Sequence, residues 1–431
     1  MTFFTAEIGL PQPRRDQHGG VRIFTSLLAI ALGGLAALFL ALIVYRALGE
    51  TGGTNSYAQL AEAFLNGRFT TPDACFDGDC ATYRGETYVI FPPVPALLAM
   101  PFVALFGVNF SGFLFLGLAL FVASAFLWWQ IFERHLEDRL TVFILTVAIM
   151  CATPVFYVTM RSDQVWFFAQ TVGFFLVTGA IHAIVVQARP WLAGAFIGLA
   201  FLTRQMSVFY APFLLVLAFQ DERPLWHITW ERLKIAIQIA IPIGIAILAY
   251  FAYNYARFGS PLDTGYGYIF SSLDTSIEPE AGDYIAYRLR ELGLFNREYL
   301  LFNAFYLFFQ GLHVEFGGRY LTEITGIDIN GTSLLAASPF LFVLFLTPLR
   351  RHVVVGLGVI AIVAGITLFY HSNGFSQHHV QRYTLDWLPI AFTFLPLVVL
   401  GPRIRALFAV MTLYAMGTLA LALAIAQMTA A

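Results

Sequence analysis

The feature that most constrains this chain is a succession of apolar runs about as long as a membrane is thick. The short polar gaps between them alternate in sign. A hydrocarbon core of ~30 Å needs roughly 20 apolar residues in a helix, and about eleven runs approach that length: 23–45, 111–131, 140–160, 165–186, 191–203, 207–219, 235–255, 333–346, 353–369, 384–400 and 406–425. The stretch 191–219 reads either as two short spans around Thr203-Arg204-Gln205 or as one broken helix. Only 12% of the 431 residues are charged, against about a quarter in soluble domains. The expected fold is therefore an all-α polytopic membrane protein, a single unit over 1–431 with about eleven transmembrane helices.

Charge distribution orients the chain. Short basic gaps hold Arg134 and Arg139, Arg189, then Arg223, Arg232 and Lys234, then Arg350 and Arg351, and finally Arg403 and Arg405. The positive-inside bias assigns these to the cytoplasm, together with the N-terminus. Arg14, Arg15 and Arg22 precede a first apolar run too long for a signal peptide, so that run is expected to stay as a span. The long gaps then fall outside, as two large external loops at 46–107 and 257–332 and a short one at 370–383. Treating Val94–Phe106 as a full span would put every later basic gap outside. It is expected to lie along the interface, entered through Phe91-Pro92-Pro93. The aromatic segment 299–311, too polar at Asn303 and Gln310 to cross, reads as a second interfacial helix.

The formal net charge of -2 and the lack of a basic stripe interleaved with aromatics exclude nucleic acid as a partner. No nucleotide loop, nucleophile elbow or His-Glu-x-x-His motif occurs. The cytoplasmic gaps are too short for a nucleotide domain, so an enzyme built this way needs a donor carried by membrane lipid. Cys75 and Cys80 flank Phe-Asp-Gly-Asp and would form a small-loop disulfide in an oxidising compartment. Two thiols without nearby histidines do not complete a metal site, adjacent His378 and His379 point apart on regular structure, and no ligand motif supports a divalent cation.

Loop carboxylates Asp73, Asp77 and Asp79 read as a solvated turn or as general acid–base groups in a desolvated pocket. Asp79 stands nearest Tyr83 and the proline entry. Asp163, squeezed between two spans, is either a helix cap or a functional carboxylate held at the membrane surface. Arg204, Arg257 and Arg382 run against the positive-inside bias at external span ends. A phosphate at headgroup level or an ion pair would explain each.

In chain order, Asn55-Ser56-Tyr57, the segments 60–68 and 83–93, Thr153-Pro154 with Arg161 and Asp163, Gly198-Leu199-Ala200 with Leu202-Thr203-Arg204, Arg257-Phe258-Gly259 with Pro261, and Gln381-Arg382-Tyr383 resemble the GT-C glycosyltransferases. The nearest branch is that of the bacterial protein O-mannosyltransferases and the lipid A aminoarabinose transferase. The resemblance implies a polyprenyl-phosphate-linked sugar as donor and a glycolipid, glycan or protein as acceptor. It also implies transfer with inversion on the periplasmic face of the bacterial inner membrane. It makes Asp163 a second site carboxylate and Arg204, Arg257 and Arg382 candidates for the carrier phosphate. Tyr57, Arg84, Tyr88, Arg161 and Tyr383, within the matched segments, become substrate-binding candidates. One departure stands out: Asn55 occupies the position of the family's catalytic aspartate, and an amide cannot accept a proton as a base. That work falls to Asp79, to Asp163 or to a carboxylate elsewhere in the loop, unless the chemistry has been changed or lost. Two other classes fit a polytopic chain with loops on one side. An O-antigen ligase or polymerase would place its large loop late, and a transporter or flippase would show repeats and midplane charges.

Overall fold

The computed structural model describes residues 16–219, 223–270, 284–374, 381–399 and 401–429; His378 and His379 lie outside them. Among the described residues six helices are long and apolar enough to cross a membrane: α1 (Asp16–Leu48), α4 (Phe113–Glu133), α7 (Val165–Val185), α10 (Trp230–Phe258), α14 (Arg351–Leu368) and α16 (Pro402–Thr429). The pair α5 (Arg139–Cys151) and α6 (Pro154–Met160), bent by 53°, makes a seventh. Thr153 causes the bend, since its hydroxyl donates back to Ile149 O and accepts from Val155 N just before Pro154. α7 is the central post: 89% of its apolar window is buried, against 28% for α1 and 22% for α10. The outer helices leave their apolar sides to lipid.

The remaining four expected spans are shorter than a membrane. α8 (Pro190–Phe201) rises only about 18 Å. It ends where Arg204 turns inward to an ion pair, and a 3₁₀ turn at Gln205–Phe209 leads into α9 (Tyr210–Ala218). The segment 333–346 divides into α13 (Leu334–Ala337) and the 3₁₀ stretch Pro339–Leu346, separated at Ser338-Pro339. Residues 384–399 break into the 3₁₀ turn Arg382–Asp386, α15 (Leu388–Phe392) and a further turn around Pro396. The charges of Arg204 and Asp386, with proline at 389 and 396, prevent continuous spans at 191–219 and 384–399.

The first loop is built on α2 (Ser56–Leu65) and α3 (Val94–Phe106), which pack together. Between them lies β structure that helical patterning does not anticipate, a three-stranded antiparallel sheet of β1 (Thr70–Thr71), β3 (Glu86–Val89) and β2 (Cys80–Tyr83) in that spatial order. Alternating Thr, Tyr and Val suit strands, and Arg84 and Gly85 both take positive φ (53° and 82°), as a tight hairpin turn requires. Cys75 and Cys80 are joined in a disulfide. Gln59 secures the same segment, donating to Ala74 O and accepting from Phe76 N. The second loop carries α11 (Tyr284–Leu292), α12 (Leu300–Ala304) with a π turn at Phe305–Phe309, and the hairpin β4 (Val314–Gly317) and β5 (Glu323–Ile327). Both loops cover the same end of the bundle, where α1 and α10 finish and α4 and α7 begin.

Candidate functional site

At the loop-bearing end two cavities, about 260 and 380 Å³, adjoin across a shared wall of Phe91, Trp166, Tyr266, Tyr370, Arg382 and Tyr383. The first continues past Tyr57 and Arg204 to Ile366 and Thr367 at the end of α14. The second is lined by Asp79, Gln164, Phe167 and His371. Five separate segments thus converge: the disulfide loop, the start of α7, the turn after α8, the stretch after α10, and the chain on both sides of α14.

Asp79 lines the second cavity, and Asp386 lines the first. Asp79 sits one residue before Cys80, where the disulfide and β2 hold the chain, and its Oδ2 accepts from Trp166 Nε1 at 2.7 Å. Burial, and after it the charge of Asp77, hold its carboxyl up at about 6 against the Trp166 hydrogen bond and Arg382, which act in the opposite sense. Asp77 is itself raised by burial, and its Oδ1 accepts from Asp79 N at 3.1 Å. A carboxylate titrating near 6 in a partly desolvated cleft has the properties of a general base.

Arg382 lies in the common wall, its guanidinium 5.3 Å from the Phe167 ring centroid and 5.1 Å from that of Tyr383. Its backbone N donates to Gly374 O at 3.0 Å. Gly374 has φ 64°, and a Cβ there would stand 2.6 Å from the Tyr383 ring, so only glycine lets that ring take its place in the wall. Arg204 also lines the first cavity, yet its charge is already matched: Nε and Nη2 donate to Asp386 at 2.6 and 2.7 Å in a bidentate pair. His371 is held by burial, and secondarily by the Arg288 charge, at about 4, so it is a neutral imidazole at pH 7. The buried Tyr57 hydroxyl finds no hydrogen-bond partner among the described residues and belongs to a side chain lining the first cavity.

Several residues singled out from sequence are placed elsewhere. Asn55 caps α2, its Oδ1 accepting from Tyr57 N at 3.0 Å, while its Nδ2 donates to Ser162 O at 3.2 Å. Both polar atoms are thereby spent on holding α2 against the turn before α7. Asp163 faces a different groove, lined by Arg46, Glu50, Thr51 and Thr54, and pairs with Arg46 at 3.3 Å and Arg161 at 4.0 Å. It does not cap α7, whose N-cap is Gln164. Arg257, 2% exposed, donates to Val89 O, Ile90 O and Asn254 Oδ1 and lies over the Tyr253 ring. It anchors the β3-to-proline entry and lies outside the lining of both cavities. Arg84 sits on the hairpin tip over Tyr83, and Tyr88 packs on Phe258; neither lines a cavity. Of the residues expected to bind phosphate or substrate, Arg204, Arg382, Tyr57 and Tyr383 meet at the site, and Asp79 joins them.

Sequence reasoning missed Trp166, Tyr266, Tyr370, Asp386 and Glu50. Asp386 carried a signal, being the only acidic residue after Asp328 and lying inside an apolar run. Glu50 caps α4 by accepting from Phe113 N and Leu114 N at 3.0 and 2.9 Å, and burial raises it to about 6. No group of three or more His, Cys, Asp and Glu side chains is arranged to hold a metal among the described residues.

No protein-family profile and no curated protein sequence matches the chain. Among solved structures it is similar to the crystal structure of the Archaeoglobus fulgidus oligosaccharyltransferase in the apo form, at 15% sequence identity and a TM-score of 0.46. The alignment covers 96% of this chain and 56% of that one, so this chain spans little more than half the length of the protein it matches.

Proposed function

We propose that this protein is an integral-membrane glycosyltransferase that takes a sugar from a polyprenyl-phosphate carrier and passes it to a hydroxyl of a lipid, glycan or protein acceptor. The observation that carries this reading is the convergence of Asp79, titrating at about 6, with Arg382 on one aromatic-walled cleft at the loop-bearing end of the spanning helices. In the transfer, the acceptor oxygen attacks the anomeric carbon while its proton passes to Asp79. The bond from that carbon to the carrier phosphate breaks, and its electron pair leaves with the phosphate, whose charge Arg382 meets. Attack opposite to the leaving group inverts the anomeric centre. Trp166, Tyr266, Tyr370 and Tyr383 offer faces and hydroxyls to a sugar ring, and the Tyr57 hydroxyl offers a further donor. Arg204, neutralised by Asp386, shapes the wall under Tyr383 rather than meeting the phosphate. The basic gaps lie at the opposite end of the helices, which supports an external location for the site in a bacterial inner membrane.

The test is transfer of radiolabel from a polyprenyl-phosphate sugar in membranes containing the protein. Asp79→Asn should abolish transfer, whereas Asp163→Asn should retain most of it. Full activity in Asp79→Asn removes the base assignment. Absence of any covalent product, with lipid flipping or a substrate-dependent current in vesicles, replaces the enzyme with a transporter.

A further inference from the structure

The end of the bundle opposite the cleft holds an open cavity of about 900 Å³ between the last turns of α4 and α7, the first turns of α8 and α10, and the end of α9. Its lining is mixed: Ile184, Leu217 and Ile235 make an apolar part, and Arg134, His135, Glu231, Arg232, Lys234 and Gln238 a polar one. Arg134 and Lys234 stand among its lining residues, both exposed and neither in an ion pair among the described residues. Glu231 is the one carboxylate in the described lining. Arg232 contributes structure: its guanidinium donates to the carbonyls of Arg223, Pro224 and His227 and lies 4.4 Å from the Phe219 ring centroid. It thereby fixes the segment that borders the cavity.

Depth in the bilayer follows from two independent features. α4 and α7 end here and α10 begins here, and all three are long enough to cross. Beside the cavity Trp226, Ile228 and Trp230 are 84%, 80% and 72% exposed, where a soluble surface would bury them. Tryptophan in that position marks the headgroup level of a membrane. An amphipathic cavity at headgroup depth, lined by two cations that make no ion pair among the described residues and by aliphatic side chains, has the shape and charge of a binding site for one lipid class.

We propose that this cavity binds an anionic phospholipid, its phosphate between Arg134 and Lys234 and its acyl chains along Ile184, Leu217 and Ile235. The purified full-length protein in detergent is titrated with phosphatidylglycerol and, separately, with phosphatidylcholine of the same chains, and the retained lipid is counted by native mass spectrometry. The wild type should retain one phosphatidylglycerol in clear preference to phosphatidylcholine. Each cation at an anionic headgroup contributes about fivefold in affinity, so R134Q/K234Q should weaken phosphatidylglycerol binding roughly 25-fold. Arg403→Gln, an exposed cation outside the cavity lining, should change it less than about twofold. Equal retention of the two lipids overturns the proposal. So does an unchanged preference in R134Q/K234Q, or an equal loss in Arg403→Gln, which would reduce the effect to general surface charge.

Discussion

Replacing Trp166 by Phe tests the cleft through a quantity that only a working base would report. The indole Nε1 donates to Asp79 Oδ2 at 2.7 Å and favours the ionised carboxylate, against burial and the neighbouring Asp77 charge, which hold it at about 6. Phenylalanine keeps an aromatic ring in the wall and removes the donor. A hydrogen bond to a charged group contributes about 1.5–3 kcal/mol, and about 1.4 kcal/mol corresponds to one pH unit. Its loss destabilises the anion, so the pKa rises by about one to two units, to between about 7 and 8. Proton acceptance requires the anion, so the acid limb of kcat/KM should move from about 6 to that range. At pH 7 the ionised fraction then falls from about nine-tenths to between about a half and a tenth, and activity should fall with it, by about two- to tenfold. Near pH 9 the variant should recover almost fully. Asp77→Asn removes the opposing charge and should shift the limb downward. The assay is initial-rate transfer of radiolabelled sugar across pH 5 to about 9. A Trp166→Phe profile lowered equally at every pH would show that the indole only shapes the wall. An unmoved midpoint would remove Asp79 from proton transfer altogether.

Arg382→Gln should lower kcat about 100-fold, with a smaller change in KM, because its charge is needed most as the phosphate leaves; Arg257→Gln should instead act through stability, seen as a lower melting temperature. Asp386→Asn strands the Arg204 guanidinium and should cost about 3 kcal/mol, a low figure for a buried pair because the Arg204 side chain is still 22% exposed to the cavity. Thermal unfolding in detergent measures that loss, and the double variant Asp386→Asn/Arg204→Gln should lose less than the sum of the two single changes. Reduction of the Cys75–Cys80 disulfide, or its replacement by serines, removes a constraint of about 2 kcal/mol on a short loop. Transfer should decline with it, as Asp79 loses its fixed position beside Cys80, and unchanged activity under reductant would show that β2 and Gln59 suffice to hold the loop.

The physics of burial in lipid is local, and that part was legible residue by residue. Long apolar runs at 23–45, 111–131, 165–186, 235–255, 353–369 and 406–425 became helices able to cross a membrane, because each satisfies its own backbone within one segment. Val94–Phe106 formed as a short helix for the same reason, and Cys75 and Cys80, five apart, close their disulfide over a small loop. Of the runs that failed as spans, 333–346 breaks at Ser338-Pro339, while 191–219 and 384–400 are interrupted by a charge whose partner is remote. Arg204 turns the chain because Asp386 waits 182 residues away, and Asp386 breaks its own run for Arg204. Nothing near either residue reveals the other. Arg257 reads as a free cation at a span end until Val89 and Ile90 offer their carbonyls from another loop. By sequence, Asp79 and Asp163 both stand out among the external acids, Asp79 by its nearness to the proline entry and Asp163 by its place between two spans, with nothing to choose between them. Only the packing of α7 against the disulfide loop brings Trp166 to Asp79, while the α1 end takes Asp163 into the groove with Arg46. What the sequence by itself determined is which uninterrupted apolar segments form helices long enough to cross a membrane, since hydropathy is a property of the segment. Which carboxylate meets which cation was decided by the tertiary structure, because desolvation and Coulomb energy depend on neighbours that chain order does not supply.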